Sequence, residues 1–312
     1  MAIRKLLKAI PGARRLASFV RTNRRRSAQN AILRRLKKAG SGPFLRDPSS
    51  PVVVSLTSFP ARIHLVWRTI ESIFQQATKP ARVVLVLSTE DFPDKVLPSS
   101  IVSQSSRGLD VLWTVENTRA YKKLLPTKQA FPEATIVTVD DDVIYHPWML
   151  TKLIGASRAA PNTVIGHRGR VITGTPPLLQ PYEAWPMADP SSPRSRVLLT
   201  GVGGVLYPPD ALAIPTLQDY ETAKRLCPLA DDIWFWACSR LANTFPLCLG
   251  NECWSSFDDA EATESLYQVN GPGGMNDLQF KAVCDHFGLW EALNAAPATK
   301  PVSGSTEPQD PK

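Results

Sequence analysis

Three short runs of apolar, largely β-branched residues restrict what this chain can fold into more than anything else in it. They are Val52-Val53-Val54-Ser55-Leu56, Val83-Val84-Leu85-Val86-Leu87 and Thr135-Ile136-Val137-Thr138-Val139. Runs of this length with little polar alternation read as strands buried on both faces, the dress of strands in a parallel sheet. Between them, Ile63 to Gln76 has helical spacing through Leu65, Ile70, Ile73 and Phe74, and Tyr121 to Phe131 suits a helix interrupted at Pro126. Val111-Leu112-Trp113 adds a short strand. Strands alternating with helices predict an α/β fold with a mostly parallel central sheet flanked by helices.

The later half is less regular. Residues 171–198 are rich in Pro and turn residues, and 202–207 include two adjacent glycines. Asp231 to Leu241 and Asn276 to Phe287 read as helices. From Ala295 the chain is rich in Pro, Ser, Thr and Gly and reads as a disordered tail over 295–312. The expected organisation is an arm and linker over 1–45, one domain over 46–294, and the tail.

Charge separates the arm from the body. Of the 36 Lys and Arg residues, 13 lie in residues 1–40, which hold no acid; the other 23 face 28 acidic residues, a net of −5. A mildly acidic body argues against specific nucleic-acid binding, which needs positive charge on the folded surface. Within the arm, Ile3, Leu6, Leu7 and Ile10 fall at helical spacing among Lys and Arg, so residues 1–40 suit an amphipathic helix on an anionic membrane surface. A solvated basic tail binding RNA non-specifically is the plainer reading. No stretch approaches the ~18 apolar residues of a spanning helix, and the start of the chain is too basic for a signal peptide. A cytoplasmic protein, peripheral on the inner face of the cell membrane, is expected.

The five cysteines form no CxxC pair and read as buried thiols in a reducing compartment. His64, His146, His167 and His286 make no close pair, and no serine sits in a GxSxG elbow. Histidine-held zinc and hydrolases with an activated nucleophile therefore lack support.

Asp140-Asp141-Asp142 is the sharpest chemical feature. It follows directly on a buried strand, at the end where open α/β sheets place their ligands. Three adjacent carboxylates repel one another, and a bound cation relieves that repulsion. Oxygen ligands suit Mg²⁺ or Mn²⁺, which could hold a diphosphate as it leaves. A solvated acidic turn is the bland alternative. Asp231-Asp232 opens the helix bearing Ile233, Trp234, Phe235 and Trp236; the pair could be an N-cap and dipole partner, or a general base beside a stacking wall for sugar. Gly201-Val202-Gly203-Gly204 lacks phosphate-loop spacing and serves either close substrate approach or a tight bend.

Six blocks in order resemble a bacterial glycosyltransferase family of GT-A fold (glycosyltransferase 2-like, surface-polysaccharide type). They are Val52-Val53-Val54-Ser55-Leu56-Thr57-Ser58-Phe59-Pro60-Ala61-Arg62-Ile63, Tyr121 through Thr127, Thr138 through Tyr145 with the DXD element, Gly201 through Pro209, Leu229 through Phe235, and Asn270 through Gln279. The resemblance implies a GT-A-like, Rossmann-like sheet with a less regular acceptor-side half. It implies sugar transfer from a nucleotide-sugar donor, a UDP-sugar by default, to a glycan or lipid-linked glycan acceptor, with inversion. Thr57, Ser58, Arg62, Lys123, Asp140 and Asp141 would lie around the donor, and Asp142 with Asp140 would bind the divalent metal. Asp232 or Asp231 would deprotonate the acceptor hydroxyl. The family's Thr-Lys pair stands here as Lys122-Lys123, which leaves two candidates for one lysine. Two other classes compete. Asp140 through Val143 also reads as the start of DxDx[TV], with Ile144 at the Thr/Val position, which would make Asp140 the nucleophile of a haloacid dehalogenase-type phosphatase. Alternatively, the basic arm makes the chain a non-enzymatic membrane- or RNA-associated scaffold.

Overall fold

The computed structural model describes residues 31, 32, 34–36, 38, 42–250, 253–256, 270 and 273–294. The readings of residues 1–30, of positions 39–41 in the arm and linker, and of the 295–312 tail fall outside these. Among the described residues thirteen strands run in order: β1 (Val52–Thr57), β2 (Arg82–Ser88), β3 (Leu109–Thr114), β4 (Thr135–Thr138), β5 (Val143–Tyr145), β6 (Ile165–Gly166), β7 (Gly169–Val171), β8 (Gly174–Thr175), β9 (Leu178–Leu179), β10 (Val197–Leu199), β11 (Val205–Tyr207), β12 (Leu247–Cys248) and β13 (Trp254–Ser256). The helices that matter are α1 (Trp67–Phe74), α2 (Ser99–Arg107), α3 (Leu125–Ala130), α4 (Met149–Ala159), α5 (Ile214–Gln218), α6 (Tyr220–Leu226), α7 (Asp231–Leu241) and α8 (Met275–Phe287).

Seven strands form the central sheet in the order β12-β6-β11-β4-β1-β2-β3. Strand β1 pairs parallel with β2 and β4, β2 with β3, and β12 with β6; only β11 runs against its neighbours. The sheet is therefore mostly parallel, with helices on both faces. Period-two alternation divides the residues of β1, β4 and β11 between the two faces. Val52, Val54, Leu56, Val137 and Leu206 meet Ile70, Ile73, Ile101, Leu150 and Leu153 on one side. Ile136, Val205 and Tyr207 meet Leu124, Leu125, Phe235 and Trp236 on the other. That two-sided burial is why the runs carry so little polar alternation.

The predicted strands at 52–56, 83–87 and 135–139 and the helix at 231–241 coincide with elements to within a residue or two. Pro126 does not interrupt a helix; it sits in the first turn of α3, after a 3₁₀ turn over Arg119–Lys123, where its missing N–H costs nothing. Phe44, expected in the linker, belongs to the body: its ring stacks on Phe74 at 4.4 Å between centroids, and its N–H donates to Arg107 O. In the later half, α7 and α8 pack through Trp236 on Phe280 (4.8 Å) and Trp234 on Phe287 (5.6 Å). The β7–β10 ribbon lies against α7. Among the described residues no helix is long and apolar enough to cross a membrane.

Candidate active site

From β1 the chain proceeds outward to β2 and β3, then returns to place β4 on the other side of β1. Such a reversal opens a crevice beyond the carboxyl ends of the two strands, where α/β sheets bind ligands. Thr57 and Ser58 end β1 there, and Asp140, Asp141 and Asp142 follow β4.

The three aspartates do different work. Asp141 turns inward: its Oδ2 accepts from Ser58 Oγ (2.7 Å) and its Oδ1 from Arg62 Nη1 (2.9 Å). Burial pushes its carboxyl up, against the pull of Arg62 and Ser58. Its side chain thus clamps the β1 turn through Ser58 and Arg62. Thr57 likewise donates its hydroxyl to Val86 O (2.8 Å). Asp142 is nearly half exposed, and Oδ2 lies 2.9 Å from the same Arg62 Nη1. Desolvation first and the Asp140 charge second push it up to about 6. Asp140 is about a third exposed and its Oδ1 lies 3.0 Å from Lys123 Nζ. The turn itself is pinned by Thr69 Oγ1, which donates to Val143 O (2.7 Å).

Lys123 joins this acidic turn to the second acidic pair. Its Nζ also lies 2.9 Å from Asp231 Oδ2, an ion pair without good hydrogen-bond alignment. Burial alone would depress the ammonium; Asp140, Asp231 and Asp232 outweigh it and hold the pKa well above the usual lysine value. Lys122 points elsewhere: Nζ meets Asp91 Oδ2 (2.9 Å) and Asn117 Oδ1 (2.6 Å) past the ends of β2 and β3. Between the two lysines, only Lys123 reaches the acidic turn.

Asp232 Oδ2 accepts the backbone N–H of Gly201 (3.2 Å). Desolvation and the neighbouring Asp231 push its carboxyl up to about 7, although Lys123 and the Gly201 amide pull it back. Gly201 fits because it has no side chain: a Cβ there would stand 2.7 Å from Lys123 Nζ and 2.9 Å from Asp140 Oδ1. Gly204 adopts φ +84°, a conformation that favours glycine. The glycine run is thus both a close approach and a tight bend. Tyr145 ties the two turns together, its phenol oxygen accepting from Asp140 N (2.9 Å) and donating to Val202 O (3.2 Å).

Asp91, Tyr145 and the Gly201 amide escaped the sequence reading. Tyr145 lay inside a recognised block, but nothing in its spacing says that its hydroxyl crosses to the glycine turn.

Among the described residues, no group of three or more His, Cys, Asp or Glu is arranged to enclose a metal ion. Asp140 and Asp142 do fit one partly: among the described residues each carboxylate meets a single cation, and the Asp140 charge helps push the Asp142 carboxyl up. Two carboxylates completed by substrate phosphates and water is a familiar way to hold Mg²⁺.

No protein-family profile matches the chain, and no curated protein matches it. Loose likenesses exist among solved structures. A CMP:2-keto-3-deoxy-manno-octonic acid synthetase complexed with CTP is 13% identical over 73% of this chain and 96% of its own, with TM-score 0.43. A 4-diphosphocytidyl-2C-methyl-D-erythritol synthase is 11% identical over 75% and 100%, with TM-score 0.38. S. aureus TarS 1–349 is 14% identical over 65% of this chain and 59% of that one, with TM-score 0.43. Likeness at this level decides no activity, and the site is argued from its own atoms.

Proposed function

We propose that the chain is a metal-dependent glycosyltransferase that moves a sugar from a nucleotide-sugar donor to the hydroxyl of a glycan or lipid-linked glycan. One observation carries this: carboxylates from two distant segments converge on one ammonium, Lys123 Nζ, 3.0 Å from Asp140 and 2.9 Å from Asp231. The arrangement would suit a diphosphate at the Asp140–Asp142 turn and a base with a raised pKa at Asp232. A divalent ion bound by Asp142 and Asp140 would supply positive charge for the leaving diphosphate.

Asp232, rather than Asp231, is the base. Asp231 is committed to Lys123, whereas Asp232 is pushed up to about 7, so it can accept a proton near neutrality. Asp232 takes the proton of the acceptor hydroxyl as that oxygen attacks the anomeric carbon. The bond from that carbon to the diphosphate oxygen breaks on the opposite face, and its electron pair leaves with the nucleoside diphosphate, inverting the centre. Lys123, protonated, adds charge at the diphosphate end. Asp141, Ser58 and Arg62 hold the turn that presents Asp142.

The test is thermal stability against a panel of nucleoside diphosphates with and without Mn²⁺. Specific binding raises the melting temperature by mass action. One nucleotide should do so only with metal, the shift should weaken below about pH 6 as Asp142 takes up a proton, and Asp142→Asn should abolish it. A shift with phosphate mimics and Mg²⁺ but no nucleotide would instead support the phosphatase that uses Asp140.

A further inference from the structure

Beside Asp232, the crevice carries two arginines, Arg168 and Arg170, that no carboxylate of the described residues pairs. Arg168 precedes β7 and Arg170 lies within it, so the period of two puts both on one face of the β7–β10 ribbon. Arg168 Nη1 donates to Thr200 Oγ1 (2.7 Å), and Thr200 N donates back to Arg168 O (3.0 Å). The residue after Thr200 is Gly201, whose N–H holds Asp232. The backbone N–H of Arg168 also lies against the same glycine turn, where a Cβ on Gly203 would stand 3.0 Å from it. Arg168 and the base thus flank one turn. Arg170 Nη1 donates to Trp185 O (2.9 Å), its guanidinium stands 4.8 Å from the Tyr182 ring centroid, and its buried Nε has no partner among the described residues. The Tyr182 phenol feels Asp232, Arg170 and Arg168 together, once its burial is allowed for.

Neither guanidinium has a carboxylate partner among the described residues. Arg168 is half-buried and anchored through one N–H on a neutral hydroxyl, and among the described residues its guanidinium has no other side-chain partner. A rigidly held, half-desolvated guanidinium fork suits a phosphate or carboxylate better than a neutral hydroxyl. Three other arginines of this half bond differently. Arg194 donates to carbonyls and the Thr163 hydroxyl, Arg240 donates to the carbonyls of Thr244 and Ala292 although its buried Nε, like that of Arg170, has no partner among the described residues, and Arg196 holds Gly174 O and Asn294 Oδ1.

We propose that Arg168 and Arg170 receive an acidic group, phosphate or carboxylate, carried by the acceptor next to the hydroxyl that Asp232 deprotonates. The word acceptor rests on the transferase reading; the anion receptor does not.

The test uses the full chain saturated with whichever nucleoside diphosphate and Mn²⁺ stabilise it, which fills the donor side. Glucose, glucose 6-phosphate and glucuronate are then titrated calorimetrically. At least one acidic sugar should bind about tenfold or more tightly than glucose, and the phosphate and carboxylate arms separate the two sources of charge. That preference should fall in Arg168→Gln and in Arg170→Gln, vanish in the double variant, and persist in Arg196→Gln. Arg168→Lys, which keeps the charge and loses the fork, should retain only part of it and stands in if the double variant does not fold. Equal affinity for all three sugars, or a preference unchanged in the Gln variants, overturns the proposal. If no nucleotide stabilises the protein, the transferase reading fails; the same titrations without nucleotide still decide the receptor.

Discussion

In the half built on β1 to β4, four buried or half-buried cations face carboxylates: Arg62 with Asp141 and Asp142, Arg107 with Glu71, Lys122 with Asp91, and Lys123 with Asp140 and Asp231. In the half that follows α4, Arg168, Arg170, Arg194, Arg196 and Arg240 face hydroxyls, backbone carbonyls and one asparagine. The first half answers these four cations with carboxylates, although Lys79 and Lys128 there donate to the carbonyls of Phe74 and Pro132. The second half answers its five arginines with neutral acceptors among the described residues. Deleting a cation should therefore strand a buried anion in one half and only neutral acceptors in the other.

The largest effect is expected where the halves meet. Asp232→Asn should lower turnover by about 10²–10⁴-fold, as for loss of a general base, and remove a rise of activity with pH through about 7. Stability should move the other way. The folded pKa lies above the unfolded value, so this group's contribution is full below about pH 4 and lost as pH rises through about 7. At pH 8 the wild type carries a buried extra charge, and Asp232→Asn should melt a few degrees higher. A lower melting point there would contradict the burial argument.

Next comes Lys123→Met, which strands Asp140 and Asp231 and should cost about 3–5 kcal/mol in urea unfolding. Gly201→Ala forces a Cβ against Lys123 Nζ and Asp140 Oδ1 and should cost about 1–3 kcal/mol, with activity falling alongside. Smallest is Arg168→Gln, expected within about 0.5 kcal/mol of wild type because no charge is stranded. Were it to cost as much as Lys123→Met, the contrast between the halves would collapse.

The parallel half was readable because each of its strands is buried on both faces, and runs such as Val83 to Leu87 announce that locally. The later half uses strands of two or three residues, β6 to β12, too short to build a periodic signal; their pairing is decided by distant partners such as Ile165 with Leu247. Helix α4 went unread although Met149, Leu150 and Leu153 form its buried face, because Gly155, Ser157 and Arg158 dilute the pattern. Among site residues, the aspartate runs stood out because clustered like charge is costly without a purpose. The choice of Lys123 over Lys122 was not legible: adjacent residues of one 3₁₀ turn point to different crevices, and only the fold says which.

Tyr145 carries a consequence for substrate range. A single oxygen sits between the amide of Asp140 and the carbonyl of Val202, so the Asp140 turn and the glycine turn that holds Asp232 are spaced by one phenol. On the transferase proposal such a spacer would act as a fixed gauge: the gap between leaving group and base would not stretch for a bulkier sugar by sliding one half past the other. A chain built this way would widen its choice of donors by altering the walls of the crevice, and would keep its reach from leaving group to base constant while doing so.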